Sequence, residues 1–149
     1  MIIRPVEEQD IAAMARIRAP EWADEAFWVD RITRYKQGIH MPQHALLERA
    51  LFVAVDADVI GFVAGHKTTR LGCDGELQWL NVAAEKRGIG ISGLLIAQMG
   101  DWFIQQKIHK VCVNVDEANE SARSVYARCG AHALNDHWML WHDTHDMHP

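Results

Sequence analysis

The residues best suited to binding chemistry form a glycine-rich run, Arg87-Gly88-Ile89-Gly90-Ile91-Ser92. This run follows an apolar, strand-like stretch (Leu77 to Val82) and opens a helix-like stretch that extends from about Ile91 to Gln105. A glycine turn leaves backbone N–H groups unobstructed, and these groups bind anions together with the positive end of the helix dipole. Lys86 and Arg87 add positive charge beside the turn. The sequence therefore predicts a binding site for a phosphorylated ligand.

The same turn also spells G-x-G-x-x-G through Gly88, Gly90 and Gly93, and Asp116 ends the next strand-like stretch. This pattern resembles the dinucleotide-binding fingerprint, in which an acidic residue holds a ribose. Two features oppose that interpretation. Residues 83–87 separate the strand from the first glycine, and only one helix and one strand follow Asp116, too few for a doubly wound fold. A glycine turn without a ligand is the remaining alternative.

Composition limits the class of protein and its partners. The chain has 149 residues, 49% hydrophobic and 23% charged, which predicts one globular domain over residues 1–149. The net charge of −5 argues against nucleic acid as a partner and fits a cationic substrate. No apolar run is long enough to span a membrane, and no signal peptide is recognisable, so no membrane partner is expected. The three cysteines lack metal-ligand spacing and fit a reduced, cytoplasmic setting.

The hydrophobic patterns predict the element order β-α-α-β-β-β-α-β-α-β. Strands are predicted at residues 2–6, 51–55, 59–64, 76–82, 110–115 and 137–142, and helices after an N-cap at Asp10, irregularly within 20–49, at 91–105 and at 119–128. A tight hairpin is expected at residues 56–58. The unit from Glu76 to Val115 is strand–helix–strand, which favours two parallel strands with the glycine turn between the first strand and the helix.

A second motif lies in the sequence Asn119-Glu-Ser-Ala122-Arg-Ser-Val-Tyr126-Ala-Arg-Cys-Gly-Ala. Together with the glycine turn, it resembles the GNAT acyltransferase superfamily, whose members use acetyl-CoA. The family's loop is Gln/Arg-x-x-Gly-x-Gly/Ala, and this chain matches it except at Ser92, where Gly or Ala is usual. Both motifs lie between residues 76 and 131, and the resemblance in element order covers almost the full chain.

The resemblance implies an α/β fold with a mixed central sheet that splays open between two parallel strands, Glu76–Val82 and Lys110–Val115, flanked by helices. The pantetheine arm of acetyl-CoA would lie in that split and pair with the backbone like an added strand. The pyrophosphate would bind the N–H groups of the turn, and no metal is needed. The implied cofactor-binding residues are Leu80, Asn81, Val82, Arg87, Gly88, Ile89, Gly90, Ile91, Ser92 and Asn119. For Asn119, a plain helix N-cap is the alternative.

The implied activity is N-acetyl transfer to a primary amine by direct attack in a ternary complex. No covalent nucleophile is needed, and we interpret Cys112 and Cys129, which fall at apolar positions, as structural thiols. A non-catalytic acyl-CoA-binding sensor on the same fold is the alternative function.

Tyr126 resembles the family's general acid, which protonates the departing sulfur. The alternative is a core tyrosine. Glu76 shares a strand face with Gln78 and Leu80 and is the best-placed carboxylate for a general base acting through a water. An exposed strand-end glutamate is the alternative, and His66 is the second candidate for the base.

The segment Glu21–Trp28 combines acids with aromatic rings and corresponds to the family's variable, substrate-facing helices. Such a surface suits a cationic amine through ion pairing and cation–π contact, although a solvated acidic face over core aromatics is the alternative. The acceptor could be a polyamine, an aminoglycoside, an amino acid or a peptide or protein amine. Trp138 and Trp141 in the final strand could pair across a homodimer. The segment His142–His148 could bind a transition metal or be a frayed terminus.

Overall fold

The computed structural model describes all residues from 1 to 149 and contains one mixed sheet with helices on both faces. The strands are β1 (Ile2–Pro5), β2 (Ala45–Asp56), β3 (Asp58–Thr68), β4 (Gly75–Val82), β5 (Val111–Asn114), β6 (His132–Ala133) and β7 (Trp138–Trp141). The helices are α1 (Ile11–Arg18), α2 (Glu25–Lys36), α3 (Ile91–Gln105) and α4 (Glu120–Arg128). The seven strands follow the order β1-β2-β3-β4-β5-β7-β6. The expected α/β fold is confirmed.

Two apolar cores cover the two faces of the sheet. On one, the α1/α2 face, helix residues such as Met14 and Ile32 pack against Phe62 of β3, and all three are fully buried. On the other, the α3/α4 face, α3 buries residues such as Leu95 and Met99. Spacings of three and four residues between apolar side chains place them on one side of each helix. The two helical layers therefore hold the sheet between them and fix the positions of its strand ends.

The parallel pair β4 and β5 is short. Only the segment from Gly75 to Leu77 pairs with β5, opposite Val111 to Val113. From Gln78 to Val82, β4 continues without a partner on that side, while its other edge stays paired to β3. The predicted parallel unit is thus confirmed. Its strands separate beyond Leu77, and the sheet opens between them.

A β-bulge lies at the point where the split begins. Leu77 pairs with Gly65 of β3, but the next pair joins Trp79 to Ala64, so Gln78 is an extra residue. The bulge reverses the alternation of side chains, because one inserted residue moves the following ones to the other face. Leu77 and Trp79 consequently pack in different cores. The expectation that Glu76, Gln78 and Leu80 share one face is therefore wrong.

The N-terminal segment differs in detail from the sequence prediction. Asp10 occupies the N-cap position of α1, as the sequence predicts, but its side chain makes no capping bond to that helix. Its carboxylate accepts a hydrogen bond from the Glu7 N–H at 2.8 Å and so caps the preceding 3-10 turn. It also forms an ion pair with the Arg4 guanidinium at 2.7 Å. That guanidinium holds the pKa of Asp10 below its usual value. The interaction ties the edge strand β1 to the start of α1.

The region before the hairpin is partly extended rather than helical. The predicted helical segment 20–49 ends in the structure at Lys36, and β2 already begins at Ala45. The hairpin at residues 56–58 is confirmed, with Ala57 at a φ of 64°. The sequence does not predict the two-residue strand β6, because so short a run carries no measurable periodicity.

The last strand is not a free edge. β7 pairs with β5 on one side and with β6 on the other. Trp141 is fully buried, and its indole N–H donates to the Cys129 carbonyl at 2.9 Å. Both edges of β7 thus have partners within the chain, and the possible homodimer stays a prediction.

The C-terminal segment is ordered against α3 rather than frayed. Residues Thr144–Asp146 form a 3-10 turn, and Met147 is buried. The side chain of Met147 lies 2.8 Å from where a Cβ on Gly100 would be. The structure contains no group of three or more His, Cys, Asp or Glu side chains arranged to hold a metal ion. None of the helices combines the length and the apolar character that crossing a membrane requires.

Candidate active site

A cavity of about 1020 Å³ runs through the split between β4 and β5. Because the sheet is open there, side chains from both of its faces can line one space. Lining residues from the α1/α2 face are Arg18, Glu21, Glu76, Trp79 and Asn81. Lining residues from the α3/α4 face are Leu77, Leu80, Val82, Val125 and Tyr126. The structure thus brings Glu76, Tyr126 and the glycine turn to a single cavity.

The glycine turn, most of whose residues line this cavity, carries an unbroken series of free backbone donors. The N–H groups of the six consecutive residues Gly88 to Gly93 find no acceptor in the protein. Gly88 and Gly90 adopt φ values of +80° and +89°, and a Cβ at either position would meet no atom within 4 Å. With α3 starting at Ile91, the helix dipole adds positive potential at the same place. The turn is therefore built to receive an anion.

The predicted turn residues contribute unequally. Arg87, Gly88, Gly90, Ile91 and Ser92 line the cavity, whereas the Ile89 side chain is exposed and does not. The Arg87 Nε–H donates to the Val82 carbonyl at 3.1 Å. This hydrogen bond ties the turn to the end of β4 and keeps a guanidinium beside the free N–H groups.

Gly93, the third glycine of the turn, has a packing role. A Cβ at this position would lie 3.0 Å from the side chain of Pro149. Gly93 thus makes room for the C-terminal segment. Asp116 accepts a hydrogen bond from the Ala118 N–H at 2.8 Å, which stabilises the turn before α4. Because β4 and β5 form the sheet's one parallel pair, the dinucleotide-binding alternative is wrong.

The free edge of β4 forms one wall of the cavity. Leu80, Asn81 and Val82 all line it. Asn81 is buried, and its side-chain amide donates to Glu21 at 3.0 Å and accepts from Arg18 at 3.2 Å. These bonds attach the end of α1 to β4. Beyond Leu77 the strand has no neighbour on the β5 side, so its backbone can pair with an extended ligand.

Helix α4 supplies the opposite wall. Asn119 caps this helix, because its side-chain oxygen accepts from the Ala122 N–H at 3.1 Å, and it also lines the cavity. Tyr126 is buried, with its ring edge-on to Trp141 at 5.8 Å. The Tyr126 hydroxyl takes part in none of the protein's hydrogen bonds and lies at the cavity. Burial raises the pKa of Tyr126 well above its ordinary value. The residue therefore presents a neutral O–H donor.

Glu76 is buried, which contradicts the alternative of an exposed strand-end glutamate. Its Oε1 accepts from the Arg70 Nε–H at 2.9 Å. The Nε2 of His66 lies 3.8 Å from the same oxygen. His66 is fully buried and does not line the cavity, so it cannot itself meet a substrate there.

The acidic and aromatic segment is largely satisfied within the protein. Asp24 caps α2 by accepting from the Phe27 N–H at 2.8 Å, and Glu25 does not line the cavity. The ring of Trp28 is covered by the Arg18 guanidinium at 4.9 Å, and Arg31 lies over Phe27 at the same distance. Two of the three rings of the expected cation–π surface thus already carry an arginine of the chain, whereas the Trp22 ring is exposed.

One carboxylate of that segment does face the cavity. Glu21 forms an ion pair with Arg18 at 2.7 Å and lines the cavity together with it. Burial lowers the pKa of the Arg18 guanidinium, and the Glu21 charge opposes that shift. Sequence reasoning missed Arg18 and Arg70, because neither belongs to a spacing pattern. Each becomes visible only when the fold brings it to a carboxylate.

The thiols offer no nucleophile. All three cysteines are free and buried. Burial raises the pKa of Cys112 and of Cys129, so neither forms a thiolate near neutral pH. The expectation that Cys112 and Cys129 lie in buried positions is confirmed.

Known structures share the α/β fold of this protein. The chain is similar to a ribosomal-protein-alanine N-acetyltransferase from Brucella melitensis, with 18% identity, a TM-score of 0.72, and coverage of 94% of this chain and 98% of that one. It is also similar to an aminoglycoside 6′-acetyltransferase type Ii, with 16% identity, a TM-score of 0.73, and coverage of 94% and 96%. A third similar structure is a PaiA N-acetyltransferase from Thermoplasma acidophilum in complex with coenzyme A, with 17% identity, a TM-score of 0.65, and coverage of 93% and 96%.

Comparison at the level of sequence gives the assignment. No curated protein sequence matches the chain significantly. The family model described as "Acetyltransferase (GNAT) family" matches residues 10–131, a span that includes the glycine turn, β4 and α4. The chain therefore belongs to the acetyltransferase (GNAT) family and is an acyltransferase.

Proposed function

We propose that the protein transfers an acetyl group from acetyl-CoA to a primary amine by direct attack in a ternary complex. The observation that carries the proposal is the series of six free N–H groups from Gly88 to Gly93, placed at one end of the unpaired edge of β4. A ligand that fits both features has a pyrophosphate and an extended, amide-bearing arm. Coenzyme A has both.

The residues of this chain fit such a ligand. The N–H groups of the turn would hold the pyrophosphate, with Lys86 and Arg87 adding charge. Backbone groups of Leu80, Asn81 and Val82 would pair with the pantetheine amides. When bound, acetyl-CoA supplies an activated acyl group on a sulfur leaving group. None of these contacts requires a metal ion. That the reaction proceeds without a metal stays a prediction.

Tyr126 and Glu76 divide the proton transfers in the proposed reaction. The amine nitrogen forms a bond to the acyl carbon, the carbon–sulfur bond breaks, and the electron pair leaves with the sulfur. Tyr126 donates its hydroxyl proton to that sulfur, and Glu76 takes a proton from the amine through a water. The products are an amide and a free thiol. Solvent then returns the proton to Tyr126 and removes the one on Glu76.

The acceptor is proposed to be a cationic amine. Two of the similar proteins are named as acetyltransferases of an aminoglycoside and of a ribosomal-protein alanine, and both substrate classes carry amines. In this chain, Glu21 is the cavity-lining carboxylate of the α1–α2 segment and can pair with an ammonium group. The Arg18 guanidinium forms an ion pair with Glu21, and its positive charge disfavours a substrate with several cationic groups close to this carboxylate.

Replacing Glu21 with glutamine tests the acceptor side. We expect the acceptor KM to rise roughly tenfold, about 1.4 kcal/mol, because one ion pair with the ammonium is lost. The KM for acetyl-CoA should stay unchanged, since Glu21 lies away from the glycine turn. Steady-state kinetics with each substrate varied in turn measure both values.

Glu25→Gln is the matched control, because it removes the same charge four residues away, outside the cavity. It should leave both KM values at the wild-type level. Equal effects of the two variants, or a clear preference of the wild-type enzyme for an acidic acceptor such as glutamate, would contradict a cationic acceptor.

The activity itself is tested with a panel of amines and acetyl-CoA, by measuring the release of free CoA thiol. We expect release that depends on a primary amine, and a thermal midpoint raised by acetyl-CoA but not by NADH. A shift with NADH and none with acetyl-CoA would overturn the proposal. Binding of acetyl-CoA without turnover of any amine would favour the alternative, a non-catalytic acyl-CoA sensor.

A further inference from the structure

A buried polar chain lies beneath the split, on the α1/α2 face of the sheet. Tyr35 of α2 and His66 of β3 are both fully buried, and the Tyr35 hydroxyl lies 2.8 Å from the His66 Nδ1. On the other side of the imidazole, Nε2 points toward the Glu76 Oε1 at 3.8 Å. His66 and Glu76 are also directly paired across β3 and β4. The backbone register therefore fixes the imidazole against the carboxylate.

The hydrogen bond between Tyr35 and His66 indicates which nitrogen of the imidazole carries the proton. The hydroxyl of Tyr35 has one partner, the His66 Nδ1. A buried hydroxyl must donate its proton to avoid an unsatisfied donor, so Tyr35 donates and Nδ1 accepts. Burial raises the pKa of Tyr35, which keeps this proton on the hydroxyl. The proton of a neutral imidazole then resides on Nε2, the nitrogen that faces Glu76.

The Nε2 of His66 has no hydrogen-bond partner, although it is buried. The 3.8 Å to Oε1 exceeds the 2.7–3.2 Å of an N–H···O bond, so a small rotation of the carboxylate is needed to make the contact. Oε1 already accepts from Arg70, whereas Oε2 takes part in none of the protein's hydrogen bonds. Two donors thus face one oxygen, and the other oxygen is left free.

We propose that His66 is a positioning residue for the acetyl transfer, whose Nε2–H holds Oε1 of Glu76 so that Oε2 accepts the proton of the amine. The inference rests on the role of Glu76 in the proposed function. The place of Glu76 favours this role, because it lies two residues before the bulge at Gln78, where β4 begins to line the open split. Tyr35 acts one step further away by fixing the tautomer of His66.

Charged and titratable groups surround the pair from every packed element. They are Tyr35 of α2, Arg49 of β2, whose guanidinium lies 4.7 Å from the Tyr35 ring, Arg70 and Cys73 of the β3–β4 connection, and Cys112 of β5. Burial raises the pKa of both thiols, so they stay neutral near pH 7. The arginines are cationic at all relevant pH values. The charges that face Glu76 from these neighbours are therefore constant near pH 7.

The test compares His66→Leu with His66→Gln. Leucine removes the donor, whereas the glutamine side-chain amide can place an N–H near the position of Nε2. For His66→Leu we expect kcat to fall roughly tenfold while the KM for the amine stays near wild type, because a wrongly oriented carboxylate slows proton transfer more than it weakens substrate binding. His66→Gln should keep most of the activity. The KM for acetyl-CoA should not change in either variant.

Tyr35→Phe keeps the Tyr35 ring against Trp79, at 4.9 Å, and removes only the hydroxyl that fixes the tautomer. It should lower kcat by a smaller factor than His66→Leu, and it provides the test if His66→Leu does not fold. Wild-type kcat in His66→Leu, or in Tyr35→Phe if the former is unfolded, would overturn the proposal. So would equal losses in the glutamine and leucine variants.

Glu76→Gln separates this inference from the proposed function. If Glu76→Gln retains full amine-dependent thiol release, Glu76 is not the base, and the assignment in the proposed function is wrong. If Glu76→Gln is inactive while His66→Leu keeps the wild-type rate, Glu76 remains the base and only the positioning role of His66 is excluded.

Discussion

Replacing Gly90 with aspartate is expected to weaken CoA binding at least tenfold, about 1.4 kcal/mol. The new side chain would extend from the centre of the free N–H series, where a Cβ on Gly90 would meet no atom within 4 Å and where a phosphate would approach. Its negative charge would occupy the donors and repel the ligand. Isothermal titration with CoA measures the change in Kd, and thermal unfolding verifies that the fold is retained.

Gly90→Asn is the matched control, because Gly90 has a φ of +89° and any side chain there is strained. Asparagine has the same size as aspartate and tolerates the left-handed region, so it reproduces the strain without the charge. It should bind CoA more weakly than the wild type but more tightly than the aspartate variant. If the aspartate variant binds CoA as tightly as wild type, the turn does not hold the pyrophosphate. Equal losses in the two variants would assign the effect to strain alone.

The sequence predicted the local structure of the glycine turn and its helix well, because this structure depends on backbone geometry. A glycine turn followed by a helix start requires particular residue types at fixed spacing, and α3 begins at Ile91 and ends at Gln105 as predicted. The N-cap of α4 at Asn119 follows the same local logic. Features that depend on a few consecutive residues could therefore be located from the sequence alone.

The bulge at Gln78 shows where local patterns stop being sufficient. The extra residue in β4 cannot be recognised from the apolar pattern of the segment. It nevertheless moves each following side chain to the opposite face of the sheet. Strict alternation thus placed Glu76 and Leu80 on the same face, whereas the structure separates them. The pairing register with β3 determines on which face each β4 side chain lies, and a single sequence does not specify that register.

The surroundings of the segment from Glu21 to Trp28 were predicted least well, because they depend on residues distant in the sequence. The segment has the composition of a cation-binding surface, but Arg18 and Arg31 already lie over the rings of Trp28 and Phe27. Arg70 likewise reaches Glu76 from a separate loop. Ion pairs of this kind depend on tertiary packing, and residue spacing does not predict them.

Replacing Tyr126 with phenylalanine is expected to lower kcat by roughly 10²-fold, the usual scale for one general acid. In the proposed reaction, the hydroxyl meets the departing sulfur only as the carbon–sulfur bond breaks, so its removal would affect the transition state more than substrate binding. Acetyl-CoA affinity should stay nearly unchanged. Because the raised pKa keeps Tyr126 protonated below pH ~10, its ionisation should not shape the wild-type profile in that range. Single-turnover and steady-state kinetics measure the loss.

Stability distinguishes the general acid from a core tyrosine. The Tyr126 hydroxyl takes part in none of the protein's hydrogen bonds, so Tyr126→Phe should change the free energy of unfolding by less than about 1 kcal/mol. Trp141→Phe is the contrasting variant, because Trp141 packs on the Tyr126 ring and donates to the Cys129 carbonyl, but does not line the cavity. It should cost about 1–3 kcal/mol of stability and leave the rate per folded molecule near wild type. The opposite pattern, with full activity and lost stability in Tyr126→Phe, would leave Tyr126 with a packing role and require another proton donor for the sulfur.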